Sequence, residues 1–331
     1  MSIIVLGTVA LDSVKTPFGR RKELLGGSAA HFSMAARLFT GVNLIAIVGS
    51  DFPQKHIAFL KSKGINLSSL IIDKGKTFRW EGEYRGDLNS ALTLNTQLGV
   101  LSVFKPQVSE AQRKIENIFL ANVDPEIQEH LLAKMHSPRL VGADSMNYWI
   151  NTKRKALIKL LKQIDIYVAN DQEARTLSGE SNLIKAAKGL CSLGPRMVLI
   201  KKGEHGVLFY SKKFIHSAAL DLKMKVLPQY QSLGKSRAKT RNIEGLIFSL
   251  PAYPVEKVID PTGAGDTFAG GFMGYLTCTA KINSLSIKKA LAYGTVAASF
   301  NVEDFGLHRT SKLTRRDLES RLAKFKGCFY F

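Results

Sequence analysis

Cysteine is scarce in this chain: three residues in 331, at Cys191, Cys278 and Cys328. Their odd number and wide spacing argue against a disulfide framework and against a zinc site. Long apolar runs are missing too, and nothing approaches the ~18 consecutive apolar residues of a membrane span. Residues 1–7 enter a short apolar run directly, with no basic leader and no small-residue cleavage site. A reduced, cytoplasmic setting is therefore the expectation. Acidic residues are also in short supply, with 27 Asp and Glu against 47 Lys and Arg, a formal charge of +20. That balance raises a nucleic acid or a phosphorylated small molecule as a partner, beside a merely lysine-rich composition.

Absent motifs narrow the field further. There is no G-x-x-x-x-G-K-[ST], and no G-x-G-x-x-G follows the first apolar run, which excludes a P-loop enzyme and weighs against a dinucleotide-binding dehydrogenase. No H-E-x-x-H, clustered Cys/His set or G-x-S-x-G occurs, so metalloprotease and α/β-hydrolase readings fall away.

What is present is an alternation of apolar runs and helical patterns. Residues 3–6, 44–48, 140–143, 166–169 and 197–200 are short continuous apolar runs, as expected for strands buried on both faces. Helical spacing marks 53–63, 153–163 and 183–193, and a helix capped by Ser28 with Phe32, Ala35, Ala36 and Phe39 on one face. This rhythm predicts an α/β fold with a mostly parallel sheet and helices on both faces. Ligands in such sheets bind beyond the strand C-termini, where Asp144, Asn170 and Lys201 stand.

Two segments break the rhythm. In 77–85, Phe78, Trp80 and Tyr84 alternate with charged residues, and 92–104 is also strand-rich. Together they suggest a small inserted antiparallel β flap over residues 73–104, either a lid on the site or a plain edge hairpin. Residues 212–246 carry eight basic side chains and two acidic ones, with a polar centre, and read as an extra solvated basic loop. The rest of the positive excess is spread over the other elements, which weakens the nucleic-acid reading.

The sharpest chemical feature is the run Asp260-Pro261-Thr262-Gly263-Ala264-Gly265-Asp266. Its small residues let the backbone approach a ligand, and Phe268, Phe272, Tyr275 and Leu276 follow at helical spacing. Backbone N–H groups at such a helix start form an anion site. Asp266 in that first turn fits a base for a hydroxyl attacking a phosphoryl group. Taken alone, it fits better an acidic residue that stabilises its own helix.

The run is not alone. Residues 260–271 resemble the C-terminal motif of the ribokinase-like (PfkB) carbohydrate kinase family, and the family's other landmarks follow in order along the whole chain. Gly26-Gly27 before a small-residue helix resembles the glycine pair that approaches the sugar, and Asp12 the acidic residue that binds substrate hydroxyls. Asn170 and Glu173 resemble the N-x-x-E motif of magnesium and nucleotide phosphates. Lys201, Gly203 and Gly206 resemble the K-x-G-x-x-G turn beside ATP.

The resemblance implies a single three-layer α/β/α kinase domain over 1–331 with a small antiparallel β lid. Its expected reaction is ATP-dependent phosphorylation of a hydroxyl on a sugar, sugar phosphate or nucleoside. Asp266 is then the base and the amides of Gly263, Ala264 and Gly265 the anion hole. Glu173 meets Mg2+ through water, and Asp260 and Thr262 are contacts for a monovalent cation such as K+. Lid-to-lid pairing offers a route to a homodimer, with the oligomeric state left open, and neither a nucleic acid nor a membrane is an expected partner. The chain departs from the family at His31, where many members carry Asn, and in the basic 212–246 segment beside the ATP edge. His31 is either a substrate contact or a helix-face residue packed on the sheet. The rival readings are an inactive sugar- or nucleotide-binding member of the fold and a basic nucleic-acid-binding protein, the latter predicting retention on DNA or RNA that falls steeply with salt.

Overall fold

The structure is a computed structural model and describes residues 1–215 and 242–328. The chain opens with strands β1 (Ser2–Leu6), β2 (Ala10–Thr16) and β3 (Gly19–Gly26) and helix α1 (Ser28–Ala36). It continues through β4 (Gly41–Gly49), α2 (Gln54–Ser62), β5 (Ile65–Asp73), β6 (Arg79–Tyr84) and β7 (Ala91–Gln97). Next come α3 (Glu110–Arg113), β8 (Asn117–Leu120), α4 (Pro125–Leu132), β9 (Leu140–Asp144), α5 (Asn147–Thr152) and α6 (Arg154–Leu161). Then follow β10 (Ile166–Asn170), α7 (Asp171–Ser178), α8 (Leu183–Ser192), β11 (Met197–Lys201), β12 (Val207–Ile215) and β13 (Asn242–Leu250). Helices α9 (Ala264–Thr277), α10 (Ser284–Asn301) and α11 (Arg315–Gly327) end it.

In β1, Ile3 and Val5 enter one core while Ile4 and Leu6 enter another. A strand with no polar face has to lie inside a sheet covered on both sides. It lies in a nine-stranded sheet of order β13-β12-β11-β10-β9-β8-β1-β4-β5, parallel from β11 to β5 and antiparallel at β12 and β13. One face packs on α1, α2, α9 and α10, the other on α4 to α8. The fold is the expected three-layer α/β/α sandwich. Among the described residues no helix is long and apolar enough to cross a membrane.

The second sheet is larger than the flap read at 73–104. Its order is β3-β2-β6-β7, so residues 10–26 supply half of it, and β2 pairs with β6 in parallel. The other two pairings are antiparallel. Residues 99–103 form a 3-10 turn, and Val100, Leu101 and Phe104 are buried in the main core rather than in the flap. At the other end of the chain, β12 and β13 run on to Ile215 and from Asn242, so both ends of the 212–246 segment extend a hairpin. The centre of that segment lies outside the described residues.

Gly27, not Ser28, is the N-cap of α1, at φ 92°. Helix α9 crosses α1 so closely that a Cβ on Gly270 would fall 2.2 Å from the Phe32 carbonyl oxygen. Backbone cannot yield there, so Gly270→Ala is expected to destabilise the fold by about 1–3 kcal/mol in urea unfolding. Gly189→Ala in α8, where an added carbon meets nothing nearer than 3.5 Å, should be neutral or stabilising.

Candidate active site

Asp144, Asn170 and Lys201 are the last residues of β9, β10 and β11, and Asn170 pairs with Lys201 across the sheet. The helix starts at α1, α7 and α9 meet them at the same end. Asn170 and Glu173 form a reciprocal cap on α7: Glu173 N–H donates to Asn170 Oδ1 and Asn170 N–H to Glu173 Oε2, each at 2.7 Å. One oxygen of each motif side chain is thus engaged in starting the helix.

The 260–266 run is held from both sides. Asp260 is fully buried, its two oxygens accepting from Thr262 N–H at 2.9 Å and Gly306 N–H at 3.0 Å. Ala264 N–H donates to Pro261 O at 3.1 Å, and Gly263 caps α9 in the left-handed region at φ 72°. A side chain at 263 is barred twice, by that φ and by the His31 ring, whose Nδ1 would lie 2.2 Å from a Cβ. Because Ala264 N–H is engaged in the turn, the expected anion hole at the mouth of α9 is reduced to the amides of Gly263 and Gly265. Lys201 Nζ sits over this mouth, 2.5 Å from where a Gly265 Cβ would be.

From the other side come Asp12 and the glycine pair. Asp12 lies on β2, is 6% exposed, and accepts a hydrogen bond from Gly27 N–H at 3.1 Å. A Cβ on Gly26 would stand 2.0 Å from its Oδ2. His31, in the first turn of α1, is 1% exposed and touches Gly263. The expected substrate side and phosphoryl side of the site therefore meet at the His31 ring.

Two lid residues reach the same cleft. Thr262 Oγ1 donates to the Tyr84 hydroxyl at 3.4 Å. Asn89, in the β6–β7 turn, donates from Nδ2 to Glu204 Oε1 at 3.2 Å, and its Oδ1 occupies the space beside Gly203. The lid thus spans from the 260–266 loop to the K-x-G-x-x-G turn. In that turn Gly206 has φ 83° and backs onto the Leu250 carbonyl. Trp80 stays within the lid, its ring over Gly82 and its Nε1 donating to Thr93 Oγ1 at 3.2 Å.

The electrostatics are lopsided. Burial raises Glu173 and raises Asp144 far above the usual carboxylate range, with Lys201 opposing both. Asp266 is partly open to the cleft, yet its withdrawal from bulk water raises it as well, against Lys201 and His31. Burial lowers His31 toward the neutral imidazole, while Asp266 pulls the other way. Two residues here had no motif to announce them. Asp144 is 4% exposed with Oδ1 unpartnered. Asn301, the last residue of α10, binds His31, Thr267 and the Thr262 carbonyl.

A model of the pfkB family of carbohydrate kinases matches residues 6–226 and 234–313. The chain belongs to that family, and is accordingly an ATP-binding phosphotransferase with a hydroxyl as acceptor. A cytidine kinase of Thermococcus kodakarensis is 28% identical over 280 residues, 83% of this chain and 88% of that protein. The solved nucleoside kinase of Methanocaldococcus jannaschii has a TM-score of 0.70 at 21% identity, covering 98% of each chain. A ribokinase-type protein from E. coli, solved with ATP and Mg2+, has a TM-score of 0.72 at 16% identity over 98% of this chain and 99% of its own.

Asp12 gives a stability signature that needs no ligand. Burial raises it to about 7, with Gly27 N–H lowering it and Asp260 and Asp266 raising it. Unfolded, it ionises near pH ~4. Between those two values the folded state holds the extra proton, so this contribution to stability falls as pH rises and levels off above about 7. Asp12→Asn should remove a slope of up to ~1.4 kcal/mol per pH unit from urea-unfolding free energies across that window.

Proposed function

We propose that this kinase phosphorylates a hydroxyl of a nucleoside or a related ribose-bearing molecule, with Asp266 as the base. The observation that carries this is the convergence of Asp266, Lys201 and the Gly263–Gly265 turn on one helix start, facing Asp12 and Gly27. Relatives of this chain named as cytidine and nucleoside kinases favour a nucleoside over a free sugar.

In this reading Asp12, Gly26, Gly27 and His31 hold the acceptor, and the lid excludes water above it. The acceptor hydroxyl gives its proton to Asp266, whose raised affinity for protons brings it closer to the best range for a base at neutral pH. The amides of Gly263 and Gly265 and the Lys201 ammonium receive the charge on the transferring phosphoryl group, the Ala264 N–H being held by the Pro261 carbonyl. Asn170, Glu173, Gly203 and Gly206 shape the nucleotide side.

The carboxylates of Asp144 and Glu173 fit a hard, oxygen-preferring cation, since both are buried and Asp144 Oδ1 has no partner. No cluster of three or more metal-binding side chains is assembled among the described residues. These groups would therefore meet Mg2+ through water and the ATP phosphates. Bound there, Mg2+ neutralises phosphate charge. A K+ ion near Asp260 and Thr262 would find each Asp260 oxygen already accepting one backbone N–H, with a lone pair left on each. The exposed edge strand β7 supports pairing of two lids into a homodimer.

ADP release with cytidine, inosine, ribose and hexoses, each tested with wild type and Asp266→Asn, decides the matter. The variant is expected to lose about a thousandfold in kcat, within the range of a general base. Wild-type turnover by Asp266→Asn would refute the mechanism, and no turnover of any acceptor by wild type would refute the substrate class.

A further inference from the structure

His31 occupies a position where its protonation can be read from its neighbours. Its Nδ1 lies 3.0 Å from Asn301 Oδ1. Asn301 is fully buried, and its Nδ2 donates to the Thr262 carbonyl at 2.7 Å. A carbonyl only accepts, so the atom facing Thr262 is the nitrogen and the atom facing His31 is the oxygen. The same oxygen accepts from Thr267 Oγ1 at 3.0 Å. His31 Nδ1 must therefore carry the proton.

In a neutral imidazole, a proton on Nδ1 leaves Nε2 as a bare acceptor. That nitrogen is buried and has no partner. A buried acceptor without a donor weakens the fold unless a ligand supplies the missing bond. His31 N–H donates to Gly27 O at 3.1 Å and its ring lies on Gly263, which puts the imidazole between the two turns assigned above to acceptor and phosphoryl group.

We infer that Asn301 is a positioning residue that presets His31 as the Nδ1–H tautomer, and that His31 Nε2 accepts a hydrogen bond from a hydroxyl of the phosphoryl acceptor. This rests on the reading that the cleft binds a hydroxylated acceptor. An asparagine at position 31 would offer both a donor and an acceptor. The preset imidazole offers only an acceptor, so the molecule bound there has to present a hydrogen-bond donor, which on a sugar-like acceptor is an O–H. An ether oxygen, a ketone or a deoxygenated carbon is selected against. Asn301 also fixes the Thr262 carbonyl and the Thr267 hydroxyl, so the discriminating group and the anion turn share one anchor.

The tautomer is tested first, on free wild-type protein, by heteronuclear NMR of labelled histidine at neutral pH, with His31→Asn assigning the signal. The expected pattern is a protonated Nδ1 and an unprotonated Nε2. A protonated Nε2, in either the other tautomer or the imidazolium, overturns the inference. The second reading adds cytidine, inosine or ribose. Whichever is phosphorylated should shift the Nε2 signal, and turnover without such a shift overturns the contact. If none is phosphorylated, the proposed acceptor class fails, while the tautomer result still stands or falls by itself.

The third reading is kinetic. Asn301→Leu is expected to raise the KM for the acceptor ~tenfold and the KM for ATP, whose phosphoryl end meets the turn anchored through Thr262 and Thr267, by no more than ~threefold. An equal rise in both would mean a merely structural role and overturn the assignment. Asn301→Ser gives the same reading if the leucine variant does not fold.

Discussion

Uncompensated negative charge is the constraint under which this cleft is built. Asp12, Asp144, Glu173 and Asp260 are each more than nine-tenths buried, and Asp266 stands at the mouth. A buried carboxylate is expensive unless paired or hydrogen-bonded. Asp260 is relieved by two backbone N–H groups, Glu173 by its helix cap and Asp12 by Gly27 N–H. Asp144 is relieved by the Asn122 backbone N–H and by the field of Lys201, which also acts on Glu173 and Asp266. The free protein is left with a local excess of acceptor groups that cations, protons and hydroxyl donors would relieve.

Helix placement makes that excess tolerable. Helices α1, α7 and α9 all begin at this end of the sheet, at Gly27, Asn170 and Gly263. Their positive ends face the carboxylates and any phosphate that joins them. For α1 and α7 the arrangement follows from the parallel sheet, because a helix that returns the chain from one parallel strand to the next alternates direction with it. Helix α9 instead follows β13 and leads into α10. Glycine at the cap of α9 lets that helix start approach α1 until it lies against the His31 ring, while Gly27 at the cap of α1 lies against the Thr8 carbonyl. The same packing that closes the core therefore brings the site together.

Much of this was legible in the sequence, and the exceptions have physical causes. The central strands announced themselves because burial on both faces leaves no polar position, as in 3–6 and 166–169. The 260–266 run stood out because close backbone approach demands small residues. The β2–β3 hairpin gives no strand pattern in the sequence because the outer face of its sheet is held by ion pairs such as Arg20–Glu81 and Lys15–Glu83, and charged strands carry little hydrophobic signal. Residues 98–104 were read as strand because their apolar content serves the main core through a 3-10 turn instead. Asn301 has no local signature at all. Its role comes from partners 270 and 34 positions away at His31 and Thr267, and no spacing rule reaches that far.

The parallel pairing of β2 with β6 has an evolutionary side. This lid is stitched from two stretches of chain, one of which carries Asp12 and leads directly into Gly26 and Gly27. It is therefore not a module that can be exchanged as a single insertion. Any drift in the β6–β7 arm is transmitted through shared ladder bonds to the strand bearing Asp12. The shape of the small sheet and the placement of Asp12 are thus inherited together, and a change in one stretch calls for a matched change in the other.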